Sequence, residues 1–145
     1  MSYFSKTISV PANTSSSSPQ QSTLEIQHGV IHRIHVSIPS GHAGLSGVRI
    51  LKGLHQVAPT SGSEWFTGDD AKIDYNEHIE IFETPFELTI EAYNTDDTYA
   101  HTFVVGVGVL PEWVLLPQKA MQETLKALSD LFGVMSKWLG IGQGG

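Results

Sequence analysis

Hydrophobic and polar positions alternate along most of this chain, and the pattern changes to a helical period only near its end. Strict alternation puts successive side chains on opposite faces of a strand, whereas apolar residues at spacings of three and four line one side of a helix. Tyr3 to Val10 reads as a first strand. Residues 11–21 hold no apolar residue larger than alanine apart from proline, and predict a Ser/Pro-rich loop or arm; residues 1–22 thus form a strand and arm free to detach. Ser22 to Gln27 alternates through Leu24 and Ile26. After Gly29, Val30 to Ile38 places Val30, His32, Ile34, Val36 and Ile38 on one face.

A Gly-rich connection leads to Val48–Val57, where Gly53 predicts a bulge or bend within a strand pair. The long loop from Ala58 to Asp70 carries Trp65 and Phe66. Large aromatics in a polar loop either plug the end of a sandwich or form a binding patch. Short strands are predicted at Lys72–Tyr75 and His78–Phe82. Phe86–Asn94 alternates cleanly, with Phe86, Leu88, Ile90 and Ala92 inward and Glu87, Thr89, Glu91 and Tyr93 outward. Ala100–Leu110 is apolar on both faces after Thr102 and carries Gly106 and Gly108, which predicts a central strand near another backbone. These eight candidates, with a body spanning residues 23–110, predict a mainly β fold: an antiparallel, jelly-roll-like β sandwich.

The end of the chain differs. Residues 111–117 hold Trp113 and Leu116 between two prolines and predict a packed strap rather than a free linker. Residues 118–140 predict an amphipathic C-terminal α-helix, about 33 Å long at the usual rise, with Pro117 suited to its start. Met121, Leu125, Leu128, Phe132, Met135 and Leu139 recur at alternating spacings of four and three, the seam of a helix made to pack. Gly133 predicts a kink or a close helix crossing, and residues 141–145 a flexible tail. Three surfaces fit such a seam: the protein's own β body, the same helix in other copies, or a membrane. The membrane is disfavoured because the polar side carries few cations.

Composition narrows the functional classes. The 145 residues suffice for one domain with one core. The absence of cysteine excludes disulfides, thiol catalysis and thiolate metal sites. The first residues lack the basic-then-apolar order of a signal peptide, and no apolar run approaches the ~20 residues of a membrane span, so synthesis in a cytoplasm is expected. Of the net charge of -7, much lies between Glu64 and Asp97, where eleven acidic residues face one base, Lys72. Such a surface repels phosphate backbones and argues against nucleic acid as partner.

Candidate chemistry is sparse. His32 and His35 point to opposite faces of one strand, and His28 lies ~13 Å from His32 along it, so no metal box emerges from the histidines. Asp69-Asp70 and Asp96-Asp97 fit turn capping and lack calcium-loop spacing. Ser46 and Ser63 have no nucleophile context. No catalytic residue, cofactor or metal is assigned, and no enzymatic activity is expected. Trp65 and Tyr93 are the candidate ligand platform, which gives the alternative of a carbohydrate- or receptor-binding module.

Thr7-Ile8-Ser9-Val10-Pro11-Ala12-Asn13-Thr14 and Pro85-Phe86-Glu87-Leu88-Thr89-Ile90-Glu91-Ala92-Tyr93-Asn94, with its Asp96-Asp97-Thr98-Tyr99 turn, are β-sandwich phrasing. With the Ser/Pro-rich arm and the terminal associating segment, the chain resembles the auxiliary or decoration proteins of tailed-phage and related virus capsids. The resemblance implies a non-enzymatic virion protein that forms a homo-oligomer, often a trimer, and clamps the major capsid protein of the shell.

Overall fold

The computed structural model describes residues 1–115 and 121–133. The chain divides into two compact units, Met1–Pro111 and Glu112–Gly145. The first holds nine strands: β1 (Ser2–Val10), β2 (Gln20–Glu25), β3 (Gly29–Ile38), β4 (Ser46–Lys52), β5 (His55–Ala58), β6 (Phe66–Thr67), β7 (Ala71–Ile81), β8 (Glu87–Asn94) and β9 (His101–Leu110). They form two antiparallel sheets, β1-β9-β3-β7 and β2-β8-β4-β5, with β6 added on β4. The pairs are nested. The chain doubles back at the β4–β5 turn, and β3–β7, β2–β8 and β1–β9 then pair in succession around it.

Alternation dictates which side chains fill the space between the sheets. Ile34, Val36 and Ile38 of β3 meet Phe103, Val105, Val107 and Val109 of β9 there, opposite Val48, Ile50, Leu88, Ile90 and Ala92 of the second sheet. These residues are almost wholly buried. β9 is central, as its two apolar faces predict. Its glycines meet side chains: Tyr3 Oη lies where a methyl at Gly106 would stand, and Met1 Sδ lies beside Gly108.

Several boundaries differ from expectation. The segments 72–75 and 78–81 are parts of one strand, β7, because Asn76 stays paired with Arg33 and no turn intervenes, and Phe82 lies past its end. Val48–Val57 is a hairpin, with Gly53 at φ 61° supplying the left-handed turn residue between β4 and β5. On β3 the inward set is Ile31, Ile34, Val36 and Ile38, not Val30 and His32 with the rest. A bulge between Ile31 and Arg33 changes the phase: from one core layer to the next, β9 uses two residue steps (Val107 to Val109), β3 three (Ile31 to Ile34) and β7 four (Tyr75 to Ile79).

The N-terminal strand is docked along its whole length on β9, from Ser2↔Val109 to Val10↔His101, with Ile8 and Val10 in the core. The arm is tied as well. Thr14 and Asn94 exchange backbone hydrogen bonds of 2.8 and 2.9 Å, Asn13 N donates to Asp96 O, and Thr14 Oγ1 donates to Pro11 O.

In the second unit, Glu112–Leu115 form one 3₁₀ turn in which Trp113 is 63% exposed rather than packed. Residues 121–133 are α-helical, Gly133 included. The expected helix start at 118–120, Met135, Leu139 and the tail 141–145 lie outside the described residues. Phe103→Ala should lower unfolding stability by about 3–5 kcal/mol, the usual cost of emptying a core phenylalanine site, with an unchanged denaturant slope in urea titration.

Candidate functional site

The outer face of the second sheet brings together both residues expected as a ligand platform. Tyr93 points outward from β8 as its alternation requires, and its ring lies over Gly47 of β4, where any side chain would strike it. Trp65, at the end of the 59–65 loop, stands perpendicular to Tyr93 with ring centroids 4.9 Å apart. Its neighbour Phe66 goes the other way, packing against the core 6.3 Å from Tyr75. Of the two loop aromatics, one fills the interior and the other caps the sheet. Tyr75 is turned inward, while Tyr99 is exposed in its turn.

A polar network beneath the rings holds this arrangement. The Arg49 guanidinium sits over the Trp65 ring, 4.1 Å from its centroid. Arg49 also donates to Glu91 Oε2 from Nε at 3.0 Å and Nη2 at 2.6 Å, and Gln21 Nε2 donates to Glu91 Oε1 at 3.0 Å. Glu91 is buried, and these donors supply what its carboxylate lost with water. Gln56 accepts from Arg49 Nη1 and donates its amide to the carbonyls of Pro59, Ser61 and Glu64 at 2.8, 3.0 and 2.9 Å. Two amide hydrogens shared among three carbonyls fix the loop that carries Trp65.

This geometry restricts the platform. One face of Trp65 is occupied by Arg49, Tyr93 covers Gly47, and two perpendicular rings cannot both lie flat on one sugar ring. Burial raises the Tyr93 phenol above its ordinary value, so it stays neutral as packing does.

A second cluster, at one end of the sandwich, has no counterpart in the sequence reading. His42, fully buried, accepts at Nδ1 from the Ser46 hydroxyl and donates from Nε2 to Thr102 O at 3.0 Å, since a carbonyl can only accept. The His101 ring is 4.5 Å away, and His101 Nε2 meets Asp96 Oδ2 at 2.8 Å. Asp96 also accepts from the backbone N–H of Thr98 and Tyr99, and these donors with His101 lower its pKa. Ser46 beside His42 has a nucleophile–base hydrogen bond, yet Ser46 is 0% exposed and His42 1%, so no substrate atom reaches either. Each pair is short-range, His42 with Ser46 and His101 with Asp96, but the two pairs lie far apart in sequence and the nested pairing gathers them.

Burial, then the neighbouring His101, pushes the His42 pKa below its ordinary value; the Thr102 hydrogen bond and Asp69 oppose the shift. Asp69 itself is held low by the Ala43 and Gly41 backbone N–H groups. Among the described residues no three His, Asp or Glu side chains are gathered to hold a metal ion, and no helix is long and apolar enough to cross a membrane.

The helical seam is the remaining candidate. Of its six residues, four are described, and all are exposed: Met121 65%, Leu125 59%, Leu128 44% and Phe132 65%. No family model matches the chain, and no curated protein matches it.

Because the folded state disfavours protonated His42, stability is full above the ordinary histidine pKa of about 6.5 and falls as pH drops through it toward the lowered value. The carboxylates Asp69 and Asp96 lose their contribution only at lower pH, below the ordinary carboxylate value. Thermal midpoints followed by circular dichroism from pH 7.5 to 5.5 should fall for the natural chain and flatten in His42→Gln; parallel curves would exclude His42 as the cause. Arg49→Met should cost about 3–5 kcal/mol by stranding buried Glu91 and should shift Trp fluorescence, whereas Arg49→Met with Glu91→Leu should recover most of the loss.

Proposed function

We propose that the protein is a non-catalytic structural component that joins copies of itself through the C-terminal helix and carries the β sandwich as its body. One observation carries this reading. A seam repeating every 3.5 residues is exposed along the described helix, and burial of such a seam is what drives helices into bundles. A leucine and phenylalanine stripe this regular is self-complementary in a bundle, because each copy brings the same knobs and holes.

The site of assembly in this reading is a virion, with a major capsid protein as the partner and a trimer as the oligomer, following the resemblance to decoration proteins. Two features support it. The nested pairing β1–β9, β2–β8, β3–β7 and β4–β5 fits a jelly-roll winding, an architecture used by viral capsid and lectin domains. That is fold-level analogy, and the helix supplies the physical argument. The docked arm and strand then belong to the body of each copy, and the helix makes the link between copies. The carbohydrate-binding alternative draws less support from the geometry, since Arg49 covers one face of Trp65 and the Tyr93 ring stands perpendicular to Trp65 and lies over Gly47.

Light scattering of the full chain should give a defined multiple of 15.8 kDa, and Leu125→Asp with Leu128→Asp should lower that mass with unchanged β-sheet circular dichroism. A natural chain that is monomeric, or a variant of unaltered mass, would remove the helix from assembly.

A further inference from the structure

Apart from the two-residue β6 on β4, the described sheets end in four edge strands: β1 and β7 on the first, β2 and β5 on the second. Three of them are spoken for or too short. β1 and β2 are cross-tied, with Lys6 Nζ donating to Thr23 O at 2.9 Å and Gln20 Nε2 donating to Ser9 O at 2.8 Å. β5 has only four residues. β7 has eleven, the longest strand described, and among the described residues only β3 pairs with it.

Its pattern is regular to the end. Lys72, Asp74, Asn76, His78 and Glu80 are exposed on the outer face, while Ile73, Tyr75 and Ile79 are half-buried against the core. The register irregularity with β3 between Asn76 and Ile79 leaves this alternation intact. A long open edge offers unpaired N–H and C=O groups and is normally guarded by charge. Here the charges have an order that a second copy satisfies.

The geometry points to an antiparallel pairing of β7 with β7 of a second copy, about a two-fold axis at Asn76. In that register Lys72 faces Glu80 of the other copy, Asp74 faces His78, and Ile73 faces Ile79. Directly opposed side chains in an antiparallel pair stand close enough to interact, favourably for opposite charges and unfavourably for like ones. Sliding by two residues keeps inner and outer faces matched but loses the Lys72–Glu80 pair: one direction sets Asp74 against Glu80, and the other sets Lys72 against His78 and Asp74 against Asn76. A slide by one residue turns Ile73 and Ile79 against the charged face. Within one copy Asp74 is held by Arg33 Nε at 2.7 Å and Nη2 at 2.6 Å, and His78 Nε2 stands 3.5 Å from Glu80 Oε1, so the Asp74–His78 contact would add to these pairs. Pairing would join two four-stranded sheets into one, with Ile73 and Ile79 of both copies covering each other. This interface is independent of the helix.

The natural chain has no cysteine, so a single introduced one reports position without ambiguity. Residues opposed across such an axis have Cα atoms about 4.5–5.5 Å apart, within the span of a disulfide. Asn76→Cys in the full chain, mildly oxidised and run on a non-reducing gel, should give a covalent dimer. Lys72→Cys alone should stay single, because its own counterpart lies far along the strand, but an equimolar mixture of Lys72→Cys and Glu80→Cys should give the mixed dimer. The same products should form when Leu125→Asp and Leu128→Asp are added. An Asn76→Cys yield no greater than that of Lys72→Cys alone would overturn the pairing, as would loss of the cross-link when only the helix seam is broken.

Discussion

One dry layer between two sheets carries the rest of this molecule. Isoleucine, valine, leucine and phenylalanine from both sheets meet there with essentially no water contact, and each strand contributes by presenting every second side chain to it. Apolar burial is non-directional, so by itself it would accept many arrangements. Alternation supplies the direction. Each strand must lie with one chosen face inward, and that requirement fixes register across whole sheets. The docked N-terminal strand, the capping Trp65 and the buried histidine pair all sit where they do because the layer has already set the strands around them.

What the pattern reveals, and what it hides, follows from how far each interaction reaches along the chain. The inward and outward faces of β8 were legible because period-two alternation is a local property of eight consecutive residues. The central position of β9 was legible for the same reason: apolar on both faces, with Gly106 and Gly108 making room above it. The phase change on β3 was not. Nothing in Val30-Ile31-His32-Arg33-Ile34 marks one extra residue, because the bulge is a relation to β9 and β7 and only they reveal it. β7 looked like two strands because Asn76-Glu77 is polar, although a polar pair on an edge strand is ordinary surface.

The same distinction explains the sites. Tyr93 could be placed outward from its neighbours alone. That Trp65 would meet it, with Arg49 between ring and carboxylate, depends on a loop folded around the Gln56 amide, and no spacing in the sequence announces three carbonyls converging on one side chain. The pairing of His42 with Ser46 is short-range and could have been noticed; its union with His101 and Asp96 requires the ends of β4 and β9 to be neighbours. The helix is the reverse case. Its seam is evident from sequence, and the structure adds that the described part of the seam is open to solvent.

The nested winding also orders the chain in time. Lys52↔His55, Ile38↔Ala71, Glu25↔Glu87 and Val10↔His101 are the inner ends of four successive pairings, each enclosing a longer loop than the one before. Closing a loop costs more entropy as it lengthens, although slowly, and the cost falls once inner pairs have already drawn the ends together. The sheets therefore close most cheaply from the β4–β5 hairpin outward. The β1–β9 pairing encloses the longest loop of the four, and until β9 has been synthesised Ile8 and Val10 have no ladder to join.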